Sequence, residues 1–88
     1  MTEKSDYAGY VRDLAYLLRE AAAEARQAKT EKVEAKQFYE GRESALIEAL
    51  LFMQSQADSF AIPREEFGLD GFDPLTDPLA PPTTSRDL

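Results

Sequence analysis

Eighty-eight residues with a net charge of −7 allow one small domain, and there is neither cysteine nor histidine in the chain. A domain of this size buries only about 60% of the surface that its unfolded chain exposes, so it needs reinforcement. With no disulfide, thiolate ligand or imidazole possible, association is the reinforcement left. The acidic balance argues against direct contact with nucleic-acid phosphates or an anionic membrane. Residues 1–62 carry 11 acids and 8 bases, and residues 63–88 carry 6 acids and 2 bases, so the acidity is concentrated in the tail.

The first six residues hold no apolar run, which reads as the absence of a secretory signal. The longest apolar run, Ala49 to Met53, is far shorter than the roughly 20 residues of a bilayer span. Together with the lack of cysteine, these features predict a soluble, cytoplasmic protein.

In chain order, the first predicted element is a helix over about residues 5–29. Glycine and proline are absent between Tyr10 and Glu40, and alanine, leucine, glutamate and arginine dominate. Tyr7, Val11, Leu14, Leu18, Ala21, Ala25 and Ala28 recur in steps of three and four, as one helix face does. Ser5 with Asp6 is the candidate N-cap. The second predicted helix runs over about 31–61 on the stripe Ala35, Tyr39, Arg42, Leu46, Leu50, Met53, Ala57 and Phe60. It is expected to stop at Ile62 because Pro63 follows.

The seam is poor between Ala28 and Ala35, and Thr30 is a possible N-cap, which together favour a hairpin over one continuous helix. A fold at residue 30 would set Leu14 opposite Leu46, Val11 opposite Leu50, Tyr7 opposite Met53 and Ala21 opposite Tyr39. The expected class is therefore all-α: an antiparallel two-helix hairpin with an irregular Pro-rich tail, dimerising into a four-helix bundle.

The tail, residues 63–88, holds all five prolines. Pro63 to Gly68 fits one helical turn opened by proline and closed by glycine, and the segment beyond Asp73 suits neither helix nor interior strand. Phe67, Leu69 and Phe72 are expected to dock back on the hairpin. Leu75 onward is expected to stay free, ending in disorder.

No catalytic, cofactor-binding or metal-binding residue is assigned. Glu20 with Glu24, and Glu40 with Glu43, share helix faces but read as solvated acids beside bases such as Arg19 and Lys36. Asp70 to Asp73 lacks the alternating ligands of a calcium loop. The chain reads as a non-enzyme with no cofactor and no small-molecule substrate.

Association is expected on helix two, which is apolar over much of its girth. Ile47 and Leu51 flank the internal stripe on one side, and Phe38 and Phe52 on the other. Gly41, Ala45 and Ala49 form a small-residue ridge that suits close helix approach or, alternatively, Gly41 marks a local kink or a hairpin break later than residue 30. Arg42, placed within the internal stripe, reads either as a pairing device in an interface or as a snorkelling side chain, and Gln56 is ambiguous in the same way. The partner is a second copy, another protein, or both. Alternative readings are an acidic inhibitor or nucleic-acid mimic blocking a basic site, and an adaptor docking through its tail.

Overall fold

The structure, a computed structural model, describes residues 3–81. It is all-helical, with two long helices packed against each other and an irregular tail. Helix α1 spans Glu3–Glu31 and helix α2 spans Lys36–Ser59, joined by a 3₁₀ turn at Val33–Ala35. Helix α1 is already under way at Ser5, two residues inside its start, so the cap expected there does not begin it.

The reversal comes later than residue 30. Thr30 stays within α1, where its hydroxyl donates to the Gln27 carbonyl (2.8 Å) and so cannot cap the next helix. A hairpin centred between Lys32 and Ala35 slides every facing pair by about seven positions, since the facing numbers sum to twice the centre. Tyr7 and Val11 accordingly share a groove with Phe60 and Ala57. The expected pairing of Leu14 with Leu46 gives way to this register, while Tyr7 still lines the same groove as Met53. The turn is steadied by Lys32, whose ammonium lies 5.8 Å from the centre of the Tyr39 ring.

The buried stripe of α1 is also rotated from the expected one. Ala15, Ala22 and Ala25 are buried, with Val11 and Leu18 beside them, whereas Tyr7 is exposed. On α2 the buried residues are Glu43, Leu50, Gln54 and Ala57. Among the described residues the two helices thus present to the core mostly alanine and a single large buried apolar side chain, Leu50.

The remaining large buried side chains come from the tail. Phe67, Leu69, Phe72 and Leu79 pack with Leu50 and the alanines into one cluster, each contributing on the order of 1.5–3 kcal/mol on burial. Phe67, Leu69 and Phe72 dock as the sequence predicts. Leu79 corrects it: the chain past Leu75 is not free, and Pro74 and Pro81 are buried as well. The alanine stripe accounts for this, because small side chains leave a trough that only bulky residues from elsewhere can fill. Residues 82–88, where disorder is expected, lie outside the described residues.

Two left-handed residues launch the tail. Helix α2 stops at Ser59, before the expected Ile62, because the chain reverses through Ala61 at φ 58°. The Ile62 amide donates to the Ala57 carbonyl (2.8 Å), closing a six-residue C-cap. Pro63 then precedes a 3₁₀ turn at Arg64–Phe67, closed by Gly68 at φ 76°. Arg64 pairs with Asp58 at 2.6 Å across the reversal.

Ala61 adopts a conformation that favours glycine, while Gly41 sits in a helix where an added Cβ would meet nothing within 4 Å. Ala61→Gly and Gly41→Ala are each expected to stabilise by about 0.5–1 kcal/mol. Urea unfolding of the two variants checks this. Removing residues 63–88 is expected to abolish the cooperative transition, because four of the large core side chains leave with them.

Candidate interaction surface

A proline-rich segment has few amides of its own to donate, and among the described residues only the carbonyls of Pro63, Arg64 and Asp73 are seen to accept from them, so other carbonyls need donors from elsewhere. Three helix residues supply them. Gln54, itself buried on α2, donates through Nε2 to the Leu69 carbonyl (3.1 Å) and the Phe72 carbonyl (2.7 Å). Arg12 of α1 donates to the carbonyls of Glu65 (3.2 Å) and Glu66 (2.9 Å). Arg19, two turns further along, donates from Nε to the Leu79 carbonyl (3.1 Å) and reaches those of Pro78 and Ala80 at 3.4 Å.

The Arg19 guanidinium also lies 3.8 Å from the centre of the Phe72 ring, a stacking contact of favourable sign. Burial pulls the pKa of Arg19 down, and the Asp77 carboxylate opposes that shift. Beyond Phe72, the Asp73 carbonyl accepts from the amides of Thr76 and Asp77, and the Asp73 side chain accepts from the Leu75 amide. The carboxylates here hold a turn. No group of three or more acids among the described residues is placed to hold a metal ion.

Near the closed end of the hairpin, Glu43 is buried and bridges Arg26 (2.5 Å) and Lys29 (2.7 Å) of α1. This corrects two expectations at once. Glu43 is not a solvated acid, and Arg42, one position earlier and about 100° around the helix, is exposed rather than in the internal stripe. Gln56 is likewise exposed, and the buried amide is Gln54. Burial raises the Glu43 pKa, but the hydrogen bonds from Lys29 and Arg26 outweigh it and hold the carboxyl below the usual glutamate value.

Among the described residues, the tail covers one flank of the hairpin. Arg12 and Arg19 on α1, and Gln54 on α2, point to the same side, and Ile47, packed against the core, lies there too with half-buried Leu51. The Ile47–Leu51 side, expected as an association face, is therefore the covered one. The opposite flank is open. On α1 it carries Tyr7 and Tyr10, each 67% exposed, followed by Leu14 and Leu17. On α2 it carries Phe38 at 65% and Phe52 at 62% exposure, with Arg42, Ala45 and half-buried Ala49 between them. Gly41 lies at the outer edge of that row.

At the open end a groove of about 620 Å³ lies between the two helices and the start of the tail, lined among others by Tyr7, Val11, Met53, Ala57, Phe60 and Phe67. Of the residues expected at an interface, Phe38, Arg42, Ala45, Ala49 and Phe52 thus share one exposed face, while Ile47 and Leu51 do not join them. The face of α1, with four exposed large apolar residues, was not among the expected sites. Its signal is a second apolar stripe in steps of three and four beside the buried alanines.

Comparison with protein-family models, curated proteins and solved structures finds no match to this chain. Among the described residues, no helix is long and apolar enough to cross a membrane.

Two predictions follow from the buried polar groups. Gln54→Leu leaves two buried carbonyls without a donor, and is expected to cost about 1–3 kcal/mol with faster amide exchange across residues 69–79. For Glu43, a folded pKa below the unfolded value of about 4.3 means its stabilisation is complete above that pH and lost as pH falls through the folded value. Glu43→Gln is therefore expected to unfold more easily at neutral pH and to show a flatter acid limb than wild type in pH-dependent melting.

Proposed function

We propose that this chain is a non-enzymatic helical interaction or scaffold protein that acts as a homodimer, with its open flank as the contact. The observation that carries the reading is the concentration of exposed Tyr and Phe on the one flank that the tail leaves uncovered. Single exposed apolar residues are ordinary, but a contiguous patch of this kind marks an interaction site. Aromatic side chains bury about 150–250 Å² each, so the four aromatics and two leucines leave on the order of 500–800 Å² open, close to the roughly 800 Å² per partner of a standard interface.

A second copy is the favoured occupant, since a domain of this size gains the reinforcement it lacks by pairing. Two hairpins joined through these flanks would make a four-helix bundle with the tails on its two outer surfaces. The cysteine-free composition suits a reducing compartment such as the cytoplasm. The adaptor reading draws less support, because Phe67, Leu69, Phe72 and Leu79 of the tail are already buried against its own hairpin, leaving Leu75 as the large apolar tail side chain exposed among the described residues. A mimic of nucleic acid draws less still, since the open flank is apolar.

Sedimentation at micromolar concentration is expected to give a particle of twice the 9.9 kDa chain mass. The double variant Leu17→Glu, Phe52→Glu is expected to sediment as a monomer while keeping its helical circular dichroism. A wild-type chain that stays monomeric into the high micromolar range overturns the reading.

A further inference from the structure

The open flank carries a second periodicity, separate from the buried one, on each helix. On α1 it runs Tyr7, Tyr10, Leu14, Leu17, Ala21, Glu24, and on α2 it runs Phe38, Arg42, Ala45, Ala49, Phe52, Gln56. Both alternate in steps of three and four, the spacing of a seven-residue helix-pairing seam. Each seam contains a single charge: an acid on α1 and a base on α2. Glu24 and Arg42 are both exposed, and neither makes an ion pair among the described residues.

Their heights along the hairpin are matched. With the turn centred between Lys32 and Ala35, a residue of α1 lies level with the residue of α2 whose number brings the sum to about 67. Glu24 and Arg42 sum to 66. Other members of the two seams pair off at the same sum: Leu14 with Phe52, Leu17 with Ala49, Ala21 with Ala45 and Tyr10 with Gln56, while Phe38 falls level with Ala28, one step beyond the α1 seam.

Resting on the homodimer reading, we infer that the two copies are related by a two-fold axis running along the hairpin. Helix α1 of each copy then lies antiparallel over α2 of the other, and Arg42 pairs with Glu24 of the second copy. The alternative two-fold, perpendicular to the helices, stacks α1 on α1 and α2 on α2, and leaves acid against acid-bearing seam and base against base-bearing seam. Only the first arrangement places the two seam charges opposite each other, twice per dimer. A lone charge pair in an apolar seam is a device for selecting register and partner orientation.

Charge reversal tests this on the full chain. Arg42→Glu and Glu24→Arg each create two like-charge contacts, and each is expected to weaken dimerisation by about tenfold or more. The double reversal restores the pair and is expected to return the dissociation constant to within a few fold of wild type. A double variant no tighter than the weaker single overturns the pairing while leaving the dimer itself intact. A monomeric wild type instead removes the homodimer reading beneath it.

Because the chain has no cysteine, disulfide capture provides a second measurement. Mixed Glu24→Cys and Arg42→Cys chains are expected to oxidise to a 24–42 linked dimer, and neither variant alone to link to itself. A 24–24 crosslink overturns the inference.

Discussion

The fold depends on supplying donors to the carbonyls of a segment that cannot form regular structure. The tail brings Phe67, Leu69, Phe72 and Leu79 into a core that the helices leave underfilled. Those side chains cannot be buried without the backbone that carries them. Gln54, Arg12 and Arg19 make that possible by donating to carbonyls at both ends and the middle of the segment. An unpaired buried carbonyl costs about 1–3 kcal/mol, a large share of what each apolar side chain contributes. That cost falls on the two buried Gln54 bonds, while the more exposed bonds of Arg12 and Arg19 hold the two ends of the segment.

Their placement also decides which surface remains. Arg12 and Arg19 are seven residues apart, on one side of α1, and Gln54 faces the same side from α2. Phe67, Leu69, Phe72 and Leu79 are committed to that flank. The opposite flank keeps Tyr7, Tyr10, Phe38 and Phe52 exposed, and is the surface we propose for a second chain. The buried Glu43 bridge with Arg26 and Lys29 closes the far end of the hairpin and holds the two helices in the register that aligns the open seams.

Helix number and tail docking were legible in the sequence because they follow from strong local signals: long runs of good helix formers, and aromatic anchors among prolines. The face of each helix was not. On α1 two apolar stripes run side by side, and the bulkier one, with Tyr7 and Leu14, is exposed while the buried one is alanine. Ranking by hydrophobicity selects the wrong stripe, since the volume needed over the alanines arrives from residues forty or more positions away. The same rotation put Arg42 in the core where Glu43 belongs. The turn was misplaced because Thr30 spends its hydroxyl on Gln27 within the helix. Gln54 and Gln56 are indistinguishable by pattern, and only a count of tail carbonyls against available donors points to one of them.

The central claim is that the tail seals one flank permanently and leaves the other to a second copy. Paramagnetic broadening of aromatic and methyl NMR signals by a soluble probe, followed across a dilution series, tests both halves in one sample. The account predicts that Phe72 and Leu69 stay protected at every concentration, while Tyr10 and Phe52 are protected when concentrated and broaden on dilution. Tyr10 and Phe52 equally accessible throughout, or Phe72 broadening with them, would contradict it.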